Sequence, residues 1–234
     1  MIIKVCGLRE AENIRAISEL GNVNMLGFNF CPDSPRFIRM ISSRAGIIPD
    51  YSEERLQKAR GLEPEVAADS TKRPKRVGVF VDDMPQNIVT RVYNYDLDYV
   101  QLSGSESAVM IDNLRRTLEP DIRPGIGIIK EIVINNPDDL KQCKEYEGLV
   151  DMFVFNIPSL AEDDAAWQGV KDYEGPTPFL LSGCIAPGCQ QVLRRFNHPR
   201  FVGINLDEHF ETEPGVKDIE RLKDFLFSFF NAKY

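Results

Sequence analysis

The sequence predicts a closed (β/α)8 barrel, and three observations carry that prediction. Eight short apolar runs alternate with stretches of helical periodicity along the chain, the pattern of parallel βαβ units buried on both faces. Eight such units in 234 residues fall just under the ~250 residues typical of that class. No GxGxxG follows the first run, which disfavours a doubly wound sheet that binds a dinucleotide. The expectation is therefore one barrel domain over residues 1–234, with an irregular insertion around 41–75.

The first strand is the β-branched run Ile2-Ile3-Lys4-Val5, ending at Cys6-Gly7; the glycine lets the chain turn sharply into a helix. Ala11, Ile14, Ile17 and Leu20 recur at helical spacing over roughly 10–20. Met25 to Phe30 reads as a buried strand, halted by the stiff turn Pro32-Asp33-Ser34-Pro35-Arg36. Residues 41–75 hold a short helix near Ser52 to Arg60, then the polar stretch Thr71-Lys72-Arg73-Pro74-Lys75, read as a solvated loop. From there strands at 77–81, 98–102, 126–133, 150–155, 178–181 and 201–206 alternate with helices. Those helices are expected at 85–93, around Met110 to Leu118, and at 137–147, 165–173 and 187–196. A last helix near 215–230 carries Ile219, Leu222, Leu226 and Phe229 on one stripe, with Pro214 in its first turn.

Composition narrows the function classes. A net charge of −8 and a pI near 5.0 argue against nucleic acid or an anionic membrane as partner. No apolar run approaches the ~20 residues of a membrane span, and no signal peptide is expected before the first strand. Five cysteines without CxxC spacing suit reduced thiols in the cytoplasm rather than a disulfide framework.

A parallel barrel places its chemistry at the carboxyl ends of its strands. Those ends bring forward Cys6, Cys31, Val81-Asp82, Ser103-Gly104, Val133, Asn156, Ser182-Gly183-Cys184 and Asp207-Glu208-His209. Cys6 reads equally as a reactive thiol or as a small buried hydrophobe, since free cysteine is among the most buried residue types. Cys6, Cys31, Cys184 and His209 end consecutive strands of a closed barrel, a donor set that would suit zinc. No tight ligand pairing supports it, so no metal is expected.

Lys4-Val5-Cys6-Gly7-Leu8-Arg9 resembles the opening motif of the phosphoribosylanthranilate isomerase family of tryptophan biosynthesis. Leu26-Gly27-Phe28-Asn29-Phe30 with Ser34-Pro35-Arg36, Val77-Gly78-Val79-Phe80-Val81 and Val100-Gln101-Leu102 continue the likeness. So do Pro178-Phe179-Leu180-Leu181-Ser182-Gly183 and Glu211-Thr212-Glu213-Pro214-Gly215-Val216-Lys217-Asp218. The resemblance implies a cofactor-free Amadori rearrangement of N-(5-phosphoribosyl)anthranilate, a small phosphorylated aminosugar, needing one general acid and one general base. It implies Cys6 as the base, a role that suits a thiol whose pKa is lowered, and Arg36 as the holder of the anthranilate carboxylate. Gly7 and Ser103 fall at substrate-binding positions, and Gly183, Cys184, Asp207 and Glu208 at the phosphate.

The sequence departs from the family at that same face. The family's acid is an aspartate in a Phe-Asp-Thr motif, where this chain has Phe155-Asn156-Ile157; an amide cannot transfer a proton at neutral pH. Ser103 replaces a histidine, Cys184 a glycine and Asn205 an aspartate. Asp207 and Glu208 stand where small polar residues help to hold the phosphate, and two carboxylates repel a dianion. Two readings follow: an isomerase whose acid is replaced by water or by a carboxyl such as Asp163 or Asp164, or a catalytically impaired paralogue that keeps the barrel to bind a ligand or partner.

Overall fold

Eight parallel strands pair in chain order and close on themselves, β1 with β8. The computed structural model describes residues 1–38 and 73–231. The strands are β1 Ile2–Val5, β2 Met25–Asn29, β3 Lys75–Phe80, β4 Tyr99–Leu102, β5 Gly127–Val133, β6 Met152–Ile157, β7 Phe179–Gly183 and β8 Phe201–Leu206. Closure leaves no exposed sheet edge. Each strand end opposite the incoming chain therefore points to one shared mouth.

Strand alternation sorts the side chains into two cores. One set, led by Met25, Val77, Ile129, Met152, Val154 and Leu180, fills the lower barrel interior. The other set, including Ile3, Val5, Phe28, Phe80, Val100, Phe153, Phe155 and Phe179, packs outward against the helices. Those helices are α1 Ala11–Ser18, α2 Pro85–Tyr95, α3 Ala108–Asp121, α4 Cys143–Tyr146, α5 Ala165–Lys171, α6 Gln190–Arg195 and α7 Ile219–Asn231. The longer helices lie over the strands by an apolar stripe at helical spacing, such as Ile111, Leu114 and Leu118 on α3. The Ser107 hydroxyl accepts from the Met110 N–H to start α3, and Asp164 accepts from the Trp167 N–H to start α5.

Three expectations change. The helix expected over 137–147 is a 3-10 segment, Pro137–Gln142, opened by an Asn136–Asp139 capping box and followed by the single turn α4. Pro214 does not begin the last helix. It sits with Gly215 in the turn between two short antiparallel strands, β9 Glu211–Glu213 and β10 Val216–Lys217, and α7 starts at Ile219. The cations Arg73 and Lys75 are not simply solvated: they lie 3.3 and 3.7 Å from the Asp98 carboxylate at the base of the barrel. The short helix expected near Ser52 to Arg60 lies outside the described residues.

Candidate active site

The strand ends enclose a cavity of about 450 Å³ at the mouth. Cys6, Gly7, Arg36, Ser103, Asn156, Gly183, Cys184, Asp207 and Glu208 all line it, so the fold brings together every site residue expected from the sequence. Arg36 is the one cation among the described residues on its surface, against the carboxylates of Glu131, Asp207 and Glu208.

One wall is built on β1 and β8. Cys6 is only 5% exposed and packs over Gly27, where an added Cβ would come within 2.6 Å of its sulfur. Burial pushes the Cys6 thiol up; a hydrogen bond and the charge of Lys4 pull the other way, with Asp207 adding to the rise and Lys217 opposing it. Burial thus works against the lowered thiol that would suit a base, and Lys4 works for it. Lys4 is fully buried, and its Nζ donates to Asn205 Oδ1 at 2.8 Å. Asn205 Nδ2 in turn donates to Ser182 Oγ at 2.8 Å. Among the described residues Lys4 meets no carboxylate, because position 205 is an amide; its field falls on the neighbouring sulfur.

Arg36 belongs to an ionic cluster at the same wall. Its Nε and Nη2 both donate to Glu211, the latter at 2.8 Å. Asp207 and Glu208 stand farther from the guanidinium, at 3.9 and 3.7 Å. Lys217, fully buried, donates to Glu211 at 2.7 Å and to the Asp207 carbonyl at 3.1 Å. Burial raises the Glu211 carboxyl, but its bonds to Arg36 and Lys217 prevail and hold it below the usual range. Gly7 makes the packing possible. Its φ of +75° disfavours a side chain, and an added Cβ would lie 2.7 Å from Arg36 Cδ.

The opposite wall, on β4 to β6, is made of amides and one carboxyl. Gln101 Nε2 donates to Ser103 Oγ at 3.1 Å and to Glu131 Oε2 at 3.0 Å. Asn156 Nδ2 donates to Glu131 Oε1 at 2.8 Å. Gly183 closes over Asn156 with φ +92°, where an added Cβ would strike Asn156 Oδ1 and the Ile157 carbonyl.

The geometry qualifies some of the expectations. The Cys184 N–H donates to the Ile157 carbonyl at 3.0 Å and so is committed within the scaffold. Asp164 caps α5, and neither it nor Asp163 is among the described residues at the mouth, so neither stands ready to replace the acid. No group of three or more His, Cys, Asp or Glu among the described residues could hold a metal ion; Cys6, Cys31, Cys184 and His209 do not converge. Sequence reasoning missed Glu131, Lys4, Glu211 and Lys217. The signal was available for Lys4 and Glu131, which are charged residues at inward positions of otherwise apolar strands.

Residues 50–227 match the family described as N-(5'-phosphoribosyl)anthranilate (PRA) isomerase. A protein of Parabacteroides distasonis named N-(5'-phosphoribosyl)anthranilate isomerase is 37% identical over 97% of this chain and 92% of its own length. The chain belongs to the phosphoribosylanthranilate isomerase family. A like-named protein of Phocaeicola vulgatus is 34% identical over 97% of this chain and 96% of its own. The Thermotoga maritima phosphoribosyl anthranilate isomerase structure superposes with a TM-score of 0.68 at 22% identity, each chain covered to 98%, and supports the barrel fold. The family is an isomerase of tryptophan biosynthesis, and the chain is one of its members rather than a barrel of another lineage. No helix among the described residues is long and apolar enough to cross a membrane.

Proposed function

We propose that this mouth isomerises N-(5'-phosphoribosyl)anthranilate, with Cys6 as the group that removes the proton from the sugar carbon next to the reacting carbon. The observation that carries the reading is the placement of Cys6. Its sulfur lies at the end of β1, in the same cavity as Arg36, beside a buried Lys4 that no carboxylate among the described residues neutralises. A cation that close favours the thiolate and offsets part of the burial that disfavours it.

Arg36 receives the anthranilate carboxylate, sharing its guanidinium with Glu211 and the two rim acids. Ser103 and Gly7 border the substrate, and its phosphate lies against Gly183, Cys184, Asp207 and Glu208. The last two weaken that subsite. Glu208 is 66% exposed, so much of its repulsion is screened by water and salt. The whole chain is read as one barrel domain acting in a reducing compartment such as the cytoplasm, where its unpaired cysteines stay reduced. Fluorescence loss as purified protein consumes phosphoribosylanthranilate tests the reading, together with rescue of a tryptophan auxotroph. Turnover supports it; an inert protein that also fails to rescue points to the impaired paralogue.

A further inference from the structure

Asn156 leaves the isomerisation without its expected proton donor, yet the amide is not alone. Glu131 and Asn156 project into the mouth from adjacent strands, in the register that pairs Val133 with Asn156. Glu131 therefore starts one inward position lower. Its longer side chain lifts the carboxyl to the Asn156 amide, 2.8 Å away, and into the cavity lining.

Two features separate Glu131 from the other carboxylates of the mouth. Asp207 and Glu208 lie beside Arg36, whereas Glu131 meets no cation among the described residues. Its neighbours can also serve either protonation state. Gln101 Nε2 lies 3.0 Å from Glu131 Oε2, and Gln101 Oε1 is buried without a partner among the described residues. Half a turn of that amide exchanges donor for acceptor and gives a protonated carboxyl a partner at the same place.

We propose that Glu131 is the general acid of the isomerisation, working from the strand next to the position that an aspartate would occupy. The proposal rests on the isomerase reading above. Glu131 gives its proton to the furanose ring oxygen as the C1–O bond breaks with its electron pair left on oxygen. The anthranilate nitrogen lone pair forms the C1=N bond. The Cys6 thiolate then takes the C2 proton; that C–H pair becomes C1=C2, and the C=N pair returns to nitrogen. Finally the Glu131 carboxylate takes the proton of the 2-hydroxyl while the Cys6 thiol delivers its own to C1. Both groups end as they began, and no redox partner is needed.

The test is the kinetics and pH profile of the parent, Glu131→Gln, and Glu131→Gln combined with Asn156→Asp, each also titrated with the reduced product 1-(o-carboxyphenylamino)-1-deoxyribulose 5-phosphate. Glu131→Gln should lower kcat about 10²- to 10³-fold, with analogue binding and KM changed by less than about threefold, within the spread of a side chain that adds little to ground-state binding. The kcat/KM profile should lose one of its two limbs. Asn156→Asp should restore at least about a tenth of the lost rate, since it places a carboxyl at the same point of the mouth. A Glu131→Gln variant with the parent's kcat and pH profile overturns the proposal and leaves the isomerase standing. So does joint loss of turnover and analogue binding that Asn156→Asp does not rescue, which makes Glu131 a support of the wall. A parent that never turns over phosphoribosylanthranilate overturns both proposals.

Discussion

On the wall of β1 and β8 the carboxylate of Glu211 lies between Arg36 and Lys217, whereas across the mouth Glu131 is held by two amides and by no cation among the described residues. The contrast divides the labour of the cavity. Cations on the first wall keep Glu211 ionised, fix the position of Arg36 and offset part of the burial that raises the Cys6 thiol. Amides on the second wall fix a carboxyl without committing its charge. A site that binds an anionic sugar and moves protons needs both kinds of surface, since a carboxylate locked between cations is a poor acid.

The contrast breaks most visibly through Lys217. Removing it by Lys217→Ala leaves Glu211 buried with one partner fewer, and about 3–5 kcal/mol of unfolding free energy should be lost in chemical denaturation. A loss under about 1 kcal/mol, the range of exposed ion pairs, would mean that water already reaches Glu211 and that the first wall is not a fixed ionic frame.

Cys6 sharpens the same wall through pH. Its thiol is raised in the folded state, so the folded protein retains a proton that the unfolded chain releases above its ordinary value near 8.5. Stability from this group is complete below that pH and is lost as pH rises toward the folded value. The parent should lose up to about 1.4 kcal/mol per pH unit more than Cys6→Ser over that window. Parallel curves for the two proteins would place the thiol in contact with solvent.

Asn156→Asp in the parent tests the amide wall. Two carboxyls separated as Asn156 Nδ2 and Glu131 Oε1 are, at 2.8 Å, share one proton. Turnover should rise by no more than about tenfold, and one limb of kcat/KM should move to higher pH. An unmoved limb would separate Glu131 from the titrating acid. The smallest expected effect is at the rim. Glu208→Ser should tighten binding of the reduced product analogue about two- to fivefold at low ionic strength, with the gain fading at physiological salt; no change would mean that the side chain turns away from the phosphate.

The barrel was legible because its signal is repeated: each apolar run between helical stretches asks for the same parallel unit, and errors at single boundaries do not alter the count. The mouth was legible for a related reason. Closure forces strand ends that are far apart in sequence into one ring, so Cys6, Arg36, Asn156 and Asp207 had to meet. Local conformation was harder. Pro214-Gly215 suits a helix start by composition, yet the pairing of Glu211–Glu213 with Val216–Lys217 makes it a hairpin turn, a tertiary outcome that propensity does not contain. Glu131 was passed over because Ile126 to Val133 reads as a continuous buried strand. A charged side chain within such a strand was the clue, and only the inward alternation shared with Ile129 shows which way it points. Asp164 erred in the opposite direction: near Asn156 in sequence, it is turned to the start of α5.

The most direct test of the account is steady-state turnover of phosphoribosylanthranilate by the parent and by Cys6→Ser, with binding of the reduced product analogue measured alongside. The account predicts saturable turnover by the parent. It also predicts a loss of at least about 10²-fold in kcat for Cys6→Ser, the scale of a positioned base, with analogue affinity essentially retained. A Cys6→Ser protein that turns over substrate at the parent's rate would contradict it, because the proton would then leave the sugar by a route that does not involve the thiol at the end of β1.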